Sequence, residues 1–511
     1  MATTQEKLAN SLEALKQIQN GGVVRSSDLS RTHRERLVQA GFLKEVVKGW
    51  LLQVDSSRVG DVGESTAWYG SFWDFIAKYL KHRFGDGYCL SAEASIWVHT
   101  ENTMIPPQVI AMVSVSQTQL LRLPHGTSLF IYPERKPPSN KEKVHGLQCF
   151  SLGEALCRLP SAFFKTWPRE AELALRMISN PAVLLEPLLD EGSTVVAGRL
   201  AGAYRFLGEE RMAKEISQAM NSAGHNVRLA NPFEIQIPSL DIGVRVKTPL
   251  VGRLASMWGE MRSEVIAKFP EPPGKVTDAG SYLESIDERY AHDAYHSLSI
   301  EGYQVTTELI ERVKNGVWQP EEEPHDFDQR NAMAAKGYYE TFKLVKKGIE
   351  RVLSGEDSAI IAEQEHGNWY RALFSPSVQA GLLEAKALAG YRRSQVFIKG
   401  SEHVPPRYEV VTDGMEELFR LLRGEDHPAV RAVLGHFLLG FVHPYMDGNG
   451  RMARFLMNLM LAQGGYPWTI IHVKNRKRYM SALQKASSDR DIADFTNLIA
   501  EEMRQFYPGE G

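Results

Sequence analysis

The segment HPYMDGNGR, from His443 to Arg451, brings together side chains that rarely share one turn of backbone. His443 has an imidazole, whose ordinary pKa lies nearest neutrality and suits proton removal from an attacking hydroxyl. Asp447 supplies a hard oxygen ligand of the kind that magnesium uses beside phosphates. Gly448 and Gly450 permit positive φ, so successive N–H groups can turn inward to bind an anion.

An amide and two arginines complete this set of groups. Arg451 and Arg454 are spaced i, i+3, so they share one helix face and can grip two phosphates at once. Asn449 can hold a phosphate oxygen or pin the loop. A base, a metal ligand, an anion nest and an arginine clamp together predict nucleotidyl or phosphoryl transfer.

Two helices must position these groups. The apolar run RAVLGHFLLGFV predicts a helix that ends at His443, because Pro444 disfavours a helical residue before it. The run RMARFLMNLMLAQGG predicts a second helix that Arg451 opens. A helix N-terminus presents unpaired N–H groups and the positive end of a dipole, which attract anions. The motif is therefore predicted to be an elbow between two helices.

Simpler interpretations of the elbow explain less of it. A tight turn accounts for the glycines but not for the histidine and two arginines. A calcium loop fails in either register: with Asp447 at position one, Arg451 falls on the fifth ligand position. With Asp447 at position five, Arg454 falls on the bidentate twelfth position.

Composition limits the class of protein. The 511 residues allow about three domains, and 43% apolar with 24% charged residues is ordinary for a globular chain. The net charge of −3 confines any nucleic-acid contact to a local basic face. Three unpatterned cysteines argue against a disulfide scaffold, and neither a signal peptide nor a run of eighteen apolar residues is present. We therefore expect a cytoplasmic protein without a membrane span.

The motif HPYMDGNGRMAR resembles the signature of the Fic (filamentation induced by cAMP) family, His-Pro-Phe-x-Asp/Glu-Gly-Asn-Gly/Lys-Arg-x-x-Arg, with Tyr445 at the aromatic position. The resemblance covers residues 275–505 and implies an all-α core with a β-hairpin flap. It implies Mg²⁺-dependent transfer of AMP from ATP to a Ser, Thr or Tyr hydroxyl of a target protein, the protein itself included. Related sites transfer phosphate or phosphocholine, but the DGNGR core with both arginines favours AMP. The implied roles are a general base at His443, a metal ligand at Asp447, and ATP phosphate binding by Gly448, Asn449, Gly450, Arg451 and Arg454.

Two further segments resemble parts of that family. GYRRSQVFIKGSEHVPPR resembles the flap that docks the target as an added strand, with Gly390, Arg392, Val396, Ile398, Gly400, His403, Val404 and Pro405 at the flap positions. SLSIEG resembles the end of an inhibitory helix, expected at about 283–302, in which Ser297 orients Glu301 toward Arg454. A carboxylate at a helix C-terminus is unfavourable for the helix, which supports a functional interpretation. Asn475 and Tyr479 fall where the family lines its nucleoside pocket, although packing explains them nearly as well.

The N-terminal half predicts different elements. Residues 1–55 follow the order helix, helix, basic helix, ribbon, with a turn at Lys48-Gly49, which is typical of a winged helix-turn-helix. This part resembles abortive-infection antitoxin-type regulators, and a DNA contact is predicted to use Arg31, Arg34 and Arg36. A protein-docking role or a merely solvated face remains open for it.

The whole chain is predicted to be mainly α-helical and multidomain. Residues 56–230 are expected to form a mixed α/β antitoxin-like region, 231–274 a linker with a helix, and 275–505 the Fic domain. A homodimer is compatible with this organisation. Two alternative functions remain open: a winged-helix DNA-binding regulator with a sensor-like Fic domain, and a hydrolase that removes AMP.

Overall fold

The computed structural model describes residues 3–18, 22–54, 61–135, 141–233, 248–317, 326–398 and 401–506. The chain divides into two compact units. The N-terminal unit comprises Met1–Pro249 with Val396–Val404, and the C-terminal unit comprises Leu250–Gln395 with Pro405–Gly511. The chain is mainly α-helical and multidomain, as predicted. None of the helices in the described ranges has a stretch that is long and apolar enough to span a bilayer.

The N-terminal unit begins with a small three-stranded sheet of order β1-β3-β2. Gly49, at a φ of +87°, makes the turn between the last two strands, so the predicted hairpin is present. Ser30 caps the basic helix by accepting a hydrogen bond from the His33 amide at 3.3 Å. The elements are α1 (Thr4–Ile18), β1 (Val23–Arg25), a 3-10 helix (Ser26–Asp28), α2 (Arg31–Gln39), β2 (Leu43–Val47) and β3 (Trp50–Gln53).

The rest of the N-terminal unit is mixed α/β, with a four-stranded sheet of order β4-β5-β7-β6 and a β8-β9 ribbon. Strands β5 and β7 are parallel, and the other pairs are antiparallel. The elements are α3 (Asp61–Phe84), β4 (Tyr88–Leu90), α4 (Ala92–His99), β5 (Gln108–Val113), β6 (Gln119–Arg122), β7 (Ser128–Pro133), β8 (Lys141–Val144), β9 (Leu147–Phe150), α5 (Leu152–Arg158), α6 (Ser161–Thr166), α7 (Pro168–Met177), α8 (Ala182–Glu191), α9 (Thr194–Phe206) and α10 (Glu210–Ser222).

The C-terminal unit is a helical bundle around one large apolar core. Its helices are α11 (Pro249–Lys268), α12 (Ala279–Ile300), α13 (Thr307–Lys314), α14 (Asp326–Leu353), α15 (Ser358–Gln379), α16 (Val411–Arg423), α17 (Pro428–Val442), α18 (Asn449–Gln463), α19 (Arg476–Ser488) and α20 (Ala493–Arg504). Among its described residues, 3-10 helices also lie at Ala385–Leu388, Tyr408–Val410 and Val473–Asn475. Helix α11, predicted within the linker zone, contributes Leu254 and Met257 to this core.

Local sequence explains where the three helices nearest the elbow begin and end. Helix α17 starts at Pro428, whose fixed φ suits the first helical turn. Helix α18 follows Gly448, which has a φ of +83°. Helix α12 starts after Asp278, which caps it through the Ser281 amide, and stops where Gly302 adopts a φ of +89°.

Candidate active site

The elbow between α17 and α18 is held in shape by its own side chains. His443 ends α17 in a left-handed conformation, with a φ of +51°, and Pro444 follows it. The Asn449 side chain accepts from the Tyr445 amide at 2.9 Å and donates to the Tyr445 carbonyl at 2.9 Å. The Tyr445 ring is buried and stacks on Tyr370, with ring centroids 3.9 Å apart. The loop is thereby fixed before any ligand binds.

The Asn449 side chain is engaged by the loop itself. Both polar atoms of its buried side chain are engaged by the backbone of Tyr445. Of the two roles expected for this residue, the geometry supports pinning the loop. Its backbone N–H stays at the first turn of α18, where an anion would approach.

The position of His443 leaves one ring nitrogen free for proton transfer. Its Nδ1 lies 3.2 Å from the Gly440 carbonyl, which can only accept, so Nδ1 carries the ring hydrogen. The lone pair is then on Nε2. Burial lowers the pKa of His443 to about 4, although the Gly440 contact opposes this shift. The imidazole is consequently neutral at physiological pH and able to accept a proton.

Arg451 is held under the elbow by two aromatic rings. Its guanidinium carbon lies 5.2 Å from the ring centroid of Tyr303 and 5.1 Å from that of Phe374. The side chain is 1% exposed, and its Nε has no hydrogen-bond partner among the described residues. Its Nη2 lies 3.4 Å from the carboxylate of Asp447. A buried cation with an unused donor is suited to an incoming anion.

Asp447 is the exposed carboxylate of the elbow. Its side chain is 62% exposed, and its Oδ1 accepts from the Gly448 amide at 2.6 Å. A carboxylate held on one side by the loop and open to solvent on the other is able to take a metal ion.

Arg454, one turn along α18, lies at the end of α12. Its Nε donates to Ser297 Oγ at 2.8 Å, and its Nη2 donates to the Ser297 carbonyl at 3.1 Å and to Glu301 Oε1 at 2.7 Å. Burial disfavours the charge on Arg454, but the Glu301 carboxylate raises its pKa above the ordinary value. The contacts expected between Ser297, Glu301 and Arg454 are therefore present.

The two glycines of the elbow allow close approach of other groups. A Cβ on Gly450 would overlap Glu301 Oε1, so only glycine admits the carboxylate there. A Cβ on Gly448 would lie 2.8 Å from a carbon of the Phe374 ring, at a φ that disfavours any other residue. The Glu301 carboxylate thus lies at the first turn of α18, where the N–H groups of a helix start favour a negative charge.

Arg392 supports the elbow through hydrogen bonds to its backbone. The sequence did not indicate these contacts. The Arg392 Nε donates to the His443 carbonyl at 2.8 Å, and its amide donates to the Pro444 carbonyl at 2.9 Å. Its Nη2 also donates to Pro406. Burial lowers the pKa of Arg392 to about 10, so it remains charged at neutral pH. The predicted role of Arg392 in docking a target stays a prediction; its described hydrogen bonds hold the backbone of the elbow beside His443.

The flap differs from the expected two-stranded hairpin. Within the described part of 390–408, no two segments pair as strands. Two side chains join the arms instead: Gln395 Nε2 donates to the Pro405 carbonyl at 2.8 Å, and Arg392 donates to Pro406. Consecutive prolines lack the N–H groups that a ladder needs, which explains the absence of paired strands.

The remaining flap positions lie in different environments. Gly390 has a φ of +114°, Val396 is buried, and Ile398 is partly exposed. Within the N-terminal unit, His403 forms an isolated antiparallel bridge with Met104, and the Val404 amide donates to Thr103. The predicted position Gly400 lies outside the described residues.

The two residues predicted to contact the nucleoside make other contacts in the structure. Tyr479 is 3% exposed, and its hydroxyl lies 2.8 Å from His436 Nε2 in the core. Asn475 donates to the buried Glu502 at 2.8 Å. These contacts favour the packing interpretation, because the Tyr479 hydroxyl and the Asn475 Nδ2 are used within the bundle.

The arginines of α2 are largely used within their own domain. Arg34 donates to the Ser26 carbonyl at 3.0 Å, and Arg36 donates to the Lys7 carbonyl at 2.9 Å. Arg31 is exposed and pairs with Glu35 at 2.7 Å. Only Arg31 among these three presents its guanidinium mainly to solvent.

Comparison with known proteins identifies part of this arrangement. Residues 363–461 match the model of the Fic/DOC family, a range that runs from α15 through most of α18 and includes the whole elbow. This part of the chain is therefore similar to the Fic/DOC family. Arg392 lies within the matched range, whereas Ser297 and Glu301 precede it.

Relatives of the Fic domain include two proteins named protein adenylyltransferase Fic. The one from Nematostella vectensis is 28% identical over 249 residues, which are 47% of this chain and 54% of that protein. The one from Drosophila yakuba is 39% identical over 115 residues, which are 22% of this chain and 23% of that protein. The alignments thus span about half or less of the curated relatives.

Solved structures with similarity to the chain also carry the Fic name. Fic-1 (residues 134–508) from C. elegans has a TM-score of 0.37 and 18% identity, over 66% of this chain and 90% of that one. A Fic domain containing signaling protein from Bacteroides thetaiotaomicron has a TM-score of 0.35 and 19% identity, over 50% of this chain and 93% of that one.

Proposed function

We propose that this protein is an autoinhibited protein AMPylator, which transfers AMP from ATP to a hydroxyl side chain of a target protein. The observation that carries the proposal is a neutral imidazole at His443 beside a helix N-terminus that two buried arginines flank. The Fic domain and the adenylyltransferase name of its relatives support the same activity.

The proposed reaction assigns each step to a group of this chain. His443 Nε2 takes the proton of the target hydroxyl as its oxygen attacks the α-phosphorus of ATP. The bond between the α-phosphorus and the bridging oxygen breaks, and pyrophosphate leaves. Arg451, Arg454 and the N–H groups at the start of α18 stabilise the negative charge on the phosphates.

Magnesium is proposed to bind at Asp447. The fit rests on the exposed carboxylate of Asp447, which lies next to the anion-binding turn. When bound, the ion would neutralise charge on the phosphate chain. Asp447 itself orders the loop through the Gly448 amide and is the only carboxylate of the HPYMDGNGR segment.

Inhibition is proposed to come from Glu301. Its carboxylate occupies the space above Gly450 and saturates Nη2 of Arg454, so a terminal phosphate cannot take the same position. Like charges within a few ångströms repel strongly in a partly buried site. Removing the carboxylate would free both the space and the guanidinium.

Removal of AMP from a modified protein is the second candidate. The favouring observation is that the Glu301 carboxylate lies against Gly450 at the first turn of α18, directly after the elbow that holds His443, so a second possible base stands at the same helix start. The winged-helix assignment of the first 55 residues, DNA contact, a homodimer and a cytoplasmic location remain predictions from the sequence. Because Arg34 and Arg36 bond to their own domain, the regulator alternative has less support.

Mass spectrometry tests the proposed activity directly. Full-length Glu301→Gly incubated with ATP and Mg²⁺ is expected to acquire an adenylyl group on Ser, Thr or Tyr, with wild type modified far less. The double variant Glu301→Gly, His443→Ala controls for chemical modification and should stay unmodified. An unmodified Glu301→Gly protein that also fails to modify any protein of a cell extract would exclude AMP transfer.

A further inference from the structure

Three histidines outside the motif meet on one side of the C-terminal unit. His292 and His296 are one turn apart on α12, and His472 lies between α18 and α19. One ring nitrogen from each lies within 4.8 Å of the other two. The Nε2 atoms of His292 and His296 are 2.6 Å apart. The proposed AMP transfer uses none of these side chains.

A buried carboxylate orients the third histidine. Glu502 is 0% exposed, and its Oε2 lies 2.6 Å from His472 Nδ1. An ionised carboxylate only accepts, so Nδ1 carries the hydrogen and Nε2 has the lone pair. Glu502 is itself held by the His472 amide at 3.1 Å and by Asn475 at 2.8 Å. A carboxylate behind an imidazole is the arrangement that orients histidine ligands of metal ions.

We propose that His292, His296 and His472 bind one divalent transition-metal ion, for which Zn²⁺ is the best match. Three imidazoles suit zinc, whereas calcium and magnesium prefer oxygen ligands. Tetrahedral coordination with Zn–N bonds of about 2.0–2.1 Å places ligand nitrogens roughly 3.3 Å apart. The His292–His296 separation of 2.6 Å is shorter than this, so the exposed His292 ring must rotate slightly. Because His292 is exposed, a water molecule can take the fourth coordination position of the ion.

Metal binding would change one backbone contact. The Val473 amide donates to His296 Nδ1 at 3.2 Å, so this nitrogen is now an acceptor. Coordination through Nε2 moves the ring hydrogen to Nδ1 and displaces the Val473 amide. The ion therefore replaces the hydrogen bond between His292 and His296, and the first residue of the 3-10 helix Val473–Asn475 shifts.

The position of the ion gives it a regulatory role, which rests on the proposed function. His296 directly precedes Ser297, which accepts two hydrogen bonds from Arg454. Glu301 follows at the end of the same helix. An ion shared by α12 and the segment after α18 would hold Glu301 against Arg454. Zinc is therefore expected to deepen the inhibition.

Calorimetry and thermal unfolding test the site without any activity assay. Full-length protein stripped with a chelator is titrated with ZnCl₂, and one ion per chain with a raised Tm is expected. Replacing the exposed His292 with alanine (His292→Ala) should weaken Zn²⁺ binding at least about tenfold and abolish the rise in Tm that zinc causes. His427→Ala, which removes a histidine of the same unit outside the cluster, should match wild type. No zinc binding by wild type, or equal binding by His292→Ala, overturns the site.

Self-modification assays then separate the site from its role. In the Ser297→Ala background, where inhibition is expected to be weaker, Zn²⁺ should reduce modification, and adding His292→Ala should abolish that effect. Zinc bound at the cluster without an effect on modification overturns the regulatory role. If no variant modifies any protein while zinc still binds, the proposed function fails and the metal site stands.

Discussion

Glu301 Oε1 lies 2.7 Å from Nη2 of Arg454, although 153 residues separate the two along the chain. The carboxylate is at the C-terminus of α12, and the guanidinium is in the second turn of α18. The pair joins the helix proposed to inhibit the protein to the helix proposed to bind ATP. Its geometry, rather than its charge alone, determines the first prediction.

Shortening the inhibitory carboxylate should release activity. Glu301→Asp keeps the charge but withdraws it by one methylene, so it should lose the 2.7 Å contact with Arg454. We expect self-adenylylation to rise about tenfold or more, the size of a typical coupling between sites. Modification is measured by intact-mass spectrometry. Glu288→Asp, at an exposed position on the same helix, is the control. If Glu301→Gly modifies itself but Glu301→Asp does so no more than wild type, the charge alone is sufficient for inhibition.

The pH profile should report the depressed pKa of His443. A general base works only when deprotonated, so the rate rises as pH increases through its pKa. With a pKa of about 4 in the fold, His443 is almost fully deprotonated from about pH 5 upward. The single-turnover rate of Glu301→Gly should therefore stay nearly flat from about pH 8 to about pH 5, whereas with an ordinary histidine the rate would already be halved at about pH 6.5. A midpoint near the ordinary value would contradict the burial-driven shift.

Arg392 should affect the rate more than the binding of ATP. Arg392→Lys cannot reach the His443, Pro406 and Ser394 carbonyls together, so the imidazole loses its support. Small misplacements of a catalytic group cost up to about a hundredfold in rate. In the Glu301→Gly background, kcat should fall while KM for ATP changes little. Arg393→Lys, at the exposed neighbouring position, is the control. A rise in KM as large as the fall in kcat would argue against a positioning role.

The aromatic position of the motif offers a stability test. The buried Tyr445 hydroxyl has no hydrogen-bond partner within the described ranges. Tyr445→Phe removes an unsatisfied polar group, so the free energy of unfolding should rise by up to about 1 kcal/mol. Tyr466→Phe is the matched contrast: its hydroxyl donates to the Pro270 carbonyl at 2.6 Å, and its loss should cost about 1 kcal/mol. Urea unfolding measures both, and destabilisation by Tyr445→Phe would reveal a missed partner.

Contiguous motifs made much of the site predictable. The elbow, its two helices and an imidazole at His443 follow from one contiguous stretch of sequence, because spacing along a helix and the restrictions of proline and glycine act locally. The lowered pKa of His443 does not follow from that stretch, because it comes from burial in the fold. The pairing of Glu301 with Arg454 was predictable only through resemblance, since nothing local to α12 indicates which distant arginine it meets. The single signal for Arg392 was its place in the flap motif, and that signal suggested a different role.

By itself, the sequence determined the elbow, the order of helices around it and the division between a mixed N-terminal half and a helical C-terminal half. Only the tertiary structure decided that Asn449 pins the loop, that Arg392 supports His443 and that Tyr479 belongs to the core. It also decided that His472 joins His292 and His296. The physical reason is that local geometry fixes which way neighbouring side chains point, whereas hydrogen-bond partners distant in sequence depend on how whole helices pack.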